Sequence, residues 1–75
     1  MSGINNLKSD RVIRAFERAG WINKRIKGSH WYFMKEGNPN IVSIPIHKNK
    51  PIKKGLLLNE LKKAGITVEE FLQLY

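Results

Sequence analysis

Ser29-His-Trp-Tyr-Phe-Met-Lys35, then Glu36-Gly-Asn-Pro-Asn40, then Ile41-Val-Ser-Ile-Pro-Ile-His47: two runs rich in aromatic and β-branched residues flank a cluster of turn formers. That pattern reads as an antiparallel hairpin. In such a pair, directly opposed side chains lie on one face of the sheet. If Trp31 and Phe33 face a core, they match Val42, Ile44 and Ile46. A slip of one residue would set the aromatics against Ser43 and Pro45. Two registers satisfy this parity, with either Pro45 or His47 directly opposite His30. In both, His30 shares the outer, helix-free face with Ser43, Pro45 and His47. Pro45 has no N–H to give a ladder, so its strand is expected at an edge.

Working outward, Trp21 to Lys27 alternates loosely and reads as a further strand, broken by Gly28. Before it, Val12, Ile13, Phe16 and Ala19 recur at helical spacing. Ser9 is expected as N-cap with Asp10 in the first turn, and Gly20 as the residue past the end, which places a helix over about 10–19. Arg11, Arg14 and Arg18 fall on its other side. After the hairpin, Lys48 to Lys54 is a basic loop containing Pro51. A second helix is expected over about 54–64, with Leu57, Leu58, Leu61 and Ala64 inward and Gly65 as its stop. Thr67-Val-Glu-Glu70 is a capping box that opens a short last helix. The order α-β-β-β-α-α describes an α+β domain, a three-stranded antiparallel sheet with helices packed on one face.

At 75 residues the chain makes one domain, residues 1–75, with 1–8 expected as a flexible N-terminus. It has no cysteine and two histidines, so neither a disulfide nor a structural zinc site is expected, and no cofactor is implied. Fourteen Lys and Arg against six Asp and Glu give a net charge of +8, which favours a polyanionic partner. No apolar run approaches a membrane span and no hydrophobic signal region opens the chain, so a cytoplasmic protein is expected.

His30 draws the chemical reading. A strand histidine is often only a polar surface residue, but here Gly28-Ser29 precedes it and Lys24, Arg25 and Lys27 flank it. Imidazole is the side chain whose unperturbed pKa lies nearest neutrality. RNA cleavage needs a base for the 2′-hydroxyl proton and an acid for the leaving 5′-oxygen. Cations would hold the phosphate and stabilise its added charge. DNA lacks the 2′-hydroxyl. His47 is the candidate second proton carrier or phosphate ligand, conditional on the register. Lys24, Arg25, Lys27, Ser29, Lys48 and Lys54 are candidate RNA contacts. The lysine run from Lys48 is otherwise a solvated surface. Tyr32 shares the His30 face by alternation and is placed to stack on an unpaired base. Trp21, Trp31 and Phe33 read as core.

Ala19-Gly-Trp21, Lys27-Gly-Ser-His30 with Phe33 three residues on, Val42-Ser-Ile-Pro45 with His47, Lys53-Lys-Gly55 and Leu61-Lys-Lys-Ala-Gly-Ile-Thr-Val-Glu-Glu-Phe-Leu72 occur in this order. Together, from about Arg11 to Leu74, they resemble the HicA-type toxins of bacterial and archaeal toxin–antitoxin pairs. The resemblance implies a double-stranded-RNA-binding-domain-like fold, an mRNA-cleaving ribonuclease, and a HicB-like antitoxin covering the active face. The family's essential histidine falls on His30. Many relatives carry another histidine immediately after it, where this chain has Trp31, so Trp31 takes no catalytic role. Two other classes remain beside this reading: a double-stranded RNA binder without chemistry, and a DNA-binding module, for which no helix shows spaced polar readers.

Overall fold

In the computed structural model, which describes residues 6–47 and 50–75, helix α1 (Ser9–Arg18) is followed by three strands. These are β2 (Ile22–Lys27), β3 (His30–Lys35) and β4 (Asn38–Pro45), an antiparallel meander in the order β2-β3-β4. Helices α2 (Lys54–Ala64) and α3 (Val68–Leu74) complete an α+β fold. Two short strands were not expected: β1 (Leu7–Lys8) pairs antiparallel with β5 (Pro51–Ile52). Residues 7 and 8, within the segment expected as a flexible N-terminus, form this strand. Leu7 is buried against the core and opposite Ile52, a long-range pairing that no local sequence pattern announces. The rest of the expected N-terminal segment, residues 1–5, lies outside the described residues.

β1 also changes the start of α1. Lys8, not Ser9, is the N-cap, and it supplies no side-chain cap. Its backbone N–H instead reaches the Tyr75 hydroxyl at 2.8 Å. The other end is as expected. Gly20 adopts φ +96, its N–H donates to the Glu17 carbonyl, and the Trp21 N–H donates to that of Phe16. This double bond pattern is a Schellman stop, which needs a left-handed residue that glycine supplies without Cβ strain. α2 ends in the same pattern, Gly65 to Lys62 and Ile66 to Leu61.

The core lies between the sheet and the helices. Phe16 of α1 meets Phe33 of β3 at 6.1 Å and Phe71 of α3 at 5.3 Å between ring centroids. Trp21, Val42, Ile44, Leu57 and Leu61 close around them, fully buried. Leu58 and Ala64, expected inward, are half-buried, whereas Glu60 is buried on the same helix. α3 is strapped to α1: the Arg18 guanidinium donates to the Leu74 carbonyl at 2.6 Å, and that of Arg11 donates to the Tyr75 carbonyl at 2.9 Å while lying over its ring.

The β3–β4 register pairs Trp31 with Ile44 and Phe33 with Val42, the parity expected. β4 begins at Asn38, so the turn is only Glu36-Gly37 rather than 36–40. Asn38 and Asn40 then donate from their side chains to the Lys63 carbonyl. β4 is an edge strand, as Pro45 indicates. The Ile46 N–H bonds the Ser29 carbonyl, so alternation turns the backbone of Ser43 and Pro45 away from β3. The Ser43 N–H is met there by the Glu60 carboxylate at 2.8 Å, and Pro45 has none to satisfy. No helix among the described residues is long and apolar enough to cross a membrane.

Phe16→Ala is expected to cost about 3–5 kcal/mol, the usual loss for emptying a buried aromatic site. Urea unfolding measures it, and an unchanged midpoint would mean α1 does not rest on the sheet through this ring. The Thr67 capping box is formed in both directions. The bond from the Thr67 backbone N–H holds the Glu70 carboxyl below its ordinary 4.5, with the Thr67 side chain adding to it. A lowered pKa in the folded state stabilises above the unfolded value, and that contribution fades as pH falls through the folded one. Thr67→Ala should lose about 1 kcal/mol at neutral pH. It should also move the Glu70 titration, followed by NMR, only part of the way towards the ordinary value, because the Thr67→Ala change removes the side-chain contribution and keeps the backbone N–H.

Candidate functional site

The β2–β3 turn is Gly28-Ser29, since Lys27 pairs with His30 across it. Gly28 has φ +60 at the first turn position, where a II′ hairpin turn takes glycine. The Ser29 carbonyl accepts from Ile46 N–H at 2.6 Å, which ties this corner to the chain leaving β4. His30 is thus the first residue of β3, exposed, on a backbone fixed by pairing with Lys27 on one side and Pro45 on the other.

A β-bulge decides what surrounds it. Ile22 pairs with Met34 and Asn23 with Phe33, but the next pair is Arg25 with Tyr32, so Lys24 is the extra residue. In an unbroken strand Ile22, Lys24 and Ile26 would share a face. The bulge reverses the alternation after Asn23. Arg25 and Lys27 therefore join His30 and Tyr32 on the helix-free face, while Ile26 goes to the other face beside Trp31. The His30 ring stacks near Tyr32, with centroids 6.4 Å apart and planes at 27°. Tyr32 is flanked by Arg25 and Ser43 across the sheet.

Next to Tyr32 lies a groove of about 630 Å³, lined by Lys24, Arg25, Lys27, Met34, Ile41, Ser43 and Lys63 as well as Tyr32. Of the expected contacts, Lys24, Arg25, Lys27 and Tyr32 come together here. Ser29 is half-buried at the corner. Lys54 opens α2, exposed, and does not line the groove. Lys48 lies outside the described residues. His47 is not opposite His30, whose partner is Pro45. It follows β4 by two positions, exposed, with its carbonyl accepting from the Lys50 N–H. Met34, Ile41 and Lys63 were not singled out from sequence. The inward stripe of α2 gave the only signal: Glu60 interrupts it, with Lys63 at i+3. Among the described residues, the only salt bridge is Lys63 with Glu60, so Lys24, Arg25 and Lys27 face solvent without a carboxylate partner.

A second hollow of about 870 Å³, between the start of α1 and the chain after β4, is lined by Lys8, Ile46 and Lys50 but also by the Asp10 carboxylate. It suits an anion less well. Among the described residues no three His, Cys, Asp or Glu side chains cluster as a metal site would require.

Among family models, that of the HicA toxin of bacterial toxin–antitoxin systems matches residues 9–66, from the first residue of α1 to just past α2. No curated protein matches the chain.

Lys24, Arg25 and Lys27 are exposed and have no carboxylate partner among the described residues, so they are expected to contribute little to the fold. Replacing Lys24, Arg25 and Lys27 together by Gln should change stability by no more than about 0.5 kcal/mol per position. A thermal melt tests this, and a large loss would assign them a structural role.

Proposed function

Because the chain belongs to the HicA toxin family, and so is the toxin of a bacterial toxin–antitoxin system, we propose that it is an endoribonuclease cutting mRNA with His30 as general acid and base. The observation that carries this reading is His30 itself. It is an exposed imidazole opposite Lys27 and beside Tyr32, on a sheet face whose charged groups are cationic. The neutral imidazole takes the proton of a ribose 2′-hydroxyl. The oxygen attacks the adjacent phosphorus, the O2′–P bond forms and the P–O5′ bond breaks. The leaving oxygen takes a proton from an acid, either the imidazolium of His30 after exchange or His47, two positions beyond the neighbouring strand. Lys27 and Arg25 stabilise the charge that builds on the phosphoryl oxygens. Lys24, Lys48 and Lys54 add phosphate contacts that position the strand, Ser29 offers its hydroxyl, and Tyr32 stacks on a base. This chemistry calls on no metal and no cofactor.

A system of this type provides an antitoxin for its toxin. In this reading the antitoxin is HicB-like and inhibits by covering the His30 face. Ile22, Met34 and Ile41, exposed apolar side chains on that face, are what such a cover would bury.

Purified protein incubated with RNA in chelator should release fragments, and DNA of the same sequence should stay intact. His30→Ala should keep the fold and lose at least about 100-fold in cleavage rate, the lower bound for removing a general acid or base. Undiminished cleavage by that variant refutes the assignment. Binding without fragments from the unaltered chain would leave a non-catalytic RNA binder.

A further inference from the structure

Lys63 stands apart from the residues that carry the cleavage reading, yet both its ends are engaged, the carbonyl by β4 and the ammonium by Glu60. Its carbonyl accepts from the Asn38 side chain at 3.3 Å and that of Asn40 at 3.0 Å. Its ammonium donates to Glu60 Oε2 at 3.2 Å, while Glu60 Oε1 accepts from the Ser43 N–H at 2.8 Å. Glu60 is only 6% exposed, an unusual place for a carboxylate. Any acceptor would have satisfied the Ser43 N–H. A charged one also fixes a lysine at the rim of the groove. We propose that Lys63, positioned by the buried Glu60, forms the far wall of a groove that takes a single strand of RNA beside His30.

The substrate class rests on the cleavage reading; the shape of the site is argued separately. Arg25 and Lys27 stand on β2 at one side of the sheet, and Lys63 reaches in from α2 beyond β4 at the other. Between them the floor is Tyr32 with Met34 and Ile41, which are 41% and 49% exposed. A basic groove with an aromatic and apolar floor matches a single strand, whose bases present their faces while phosphates run along the rims. A duplex hides those faces and would leave the floor unmatched. An ammonium has three protons to donate. One goes to Glu60, and two remain for a phosphate. Holding the side chain in advance reduces the ordering cost of binding.

The test is fluorescence anisotropy on the full chain carrying His30→Ala, with a labelled single-stranded RNA and the blunt duplex of the same sequence, across a salt series. Lys63→Gln should weaken single-strand binding several-fold and flatten the slope of log K against log salt by about 0.7, the share of one phosphate. Lys63→Arg should retain the slope. Glu60→Gln keeps an acceptor for the Ser43 N–H, so it should fold. It should weaken binding without changing the slope, because the charge remains and only its placement is lost. An unchanged slope for Lys63→Gln overturns the proposal. So does a duplex that binds as tightly as the strand, or tighter binding by Glu60→Gln. Labelled polyglutamate is titrated alongside, and a Lys63→Gln variant that loses polyglutamate binding without losing RNA binding would give the groove to an acidic protein segment and overturn it too. Cleavage by the chain with His30 intact is scored separately, so a chain that binds as described but does not cut sinks the nuclease reading alone.

Discussion

The pairing of Phe33 with Val42 and of Trp31 with Ile44 is the constraint from which the rest follows. Phe33, Val42 and Ile44 are fully buried with Trp31 half-buried against them, and only one parity of the hairpin allows it. Phe33 then meets Phe16, Phe16 meets Phe71, and both outer helices find their places on the same side of the sheet. The other face is left to whatever alternates with the aromatics. On β3 that means His30, Tyr32 and Met34. Along β3, core-facing side chains and those of the candidate site thus take alternate positions.

This separation lets the site be strongly charged at little cost to the fold. A charge buried among the aromatics would need a partner or would shift its protonation. Arg25 and Lys27 escape that penalty because the bulge at Lys24 sends them to the solvent side. The one carboxylate that is buried, Glu60, has a hydrogen-bond donor on each oxygen. Repulsion among like charges on the open face is tolerable in water and becomes an asset when a polyanion arrives.

Much of the architecture was legible because it is locally encoded. Hydrophobic spacing gave α2 its limits, Gly20 marked the end of α1, and Thr67 with Glu70 marked the start of α3. Strand parity put His30 on the helix-free face. What escaped depends on partners distant in sequence. Leu7 is buried only because Ile52 comes to meet it, and Lys8 displaces Ser9 as N-cap for the same reason. The bulge has no marker in Ile22-Asn-Lys-Arg-Ile-Lys27, since it is defined by the facing strand. Without it, Ile26 rather than Lys27 would have stood beside His30. Lys63 was hidden because its role comes from β4 passing beneath α2, which no helical periodicity reveals.

The edges of the meander bear on how another chain could associate with this one. β4 contains Pro39 and Pro45, which have no N–H, and its Ser43 N–H is already occupied by Glu60. β2 is kinked by its bulge and carries Lys24, Arg25 and Lys27. Each device works against lateral extension of the sheet by a foreign strand. Copies of the protein are thereby discouraged from templating one another, and β-augmentation is a poor route for any protein ligand. Under the reading proposed above, an inhibitor that covers this face from above meets Arg25 and Lys27 rather than a free strand edge, so its grip would fall as salt screens the cations.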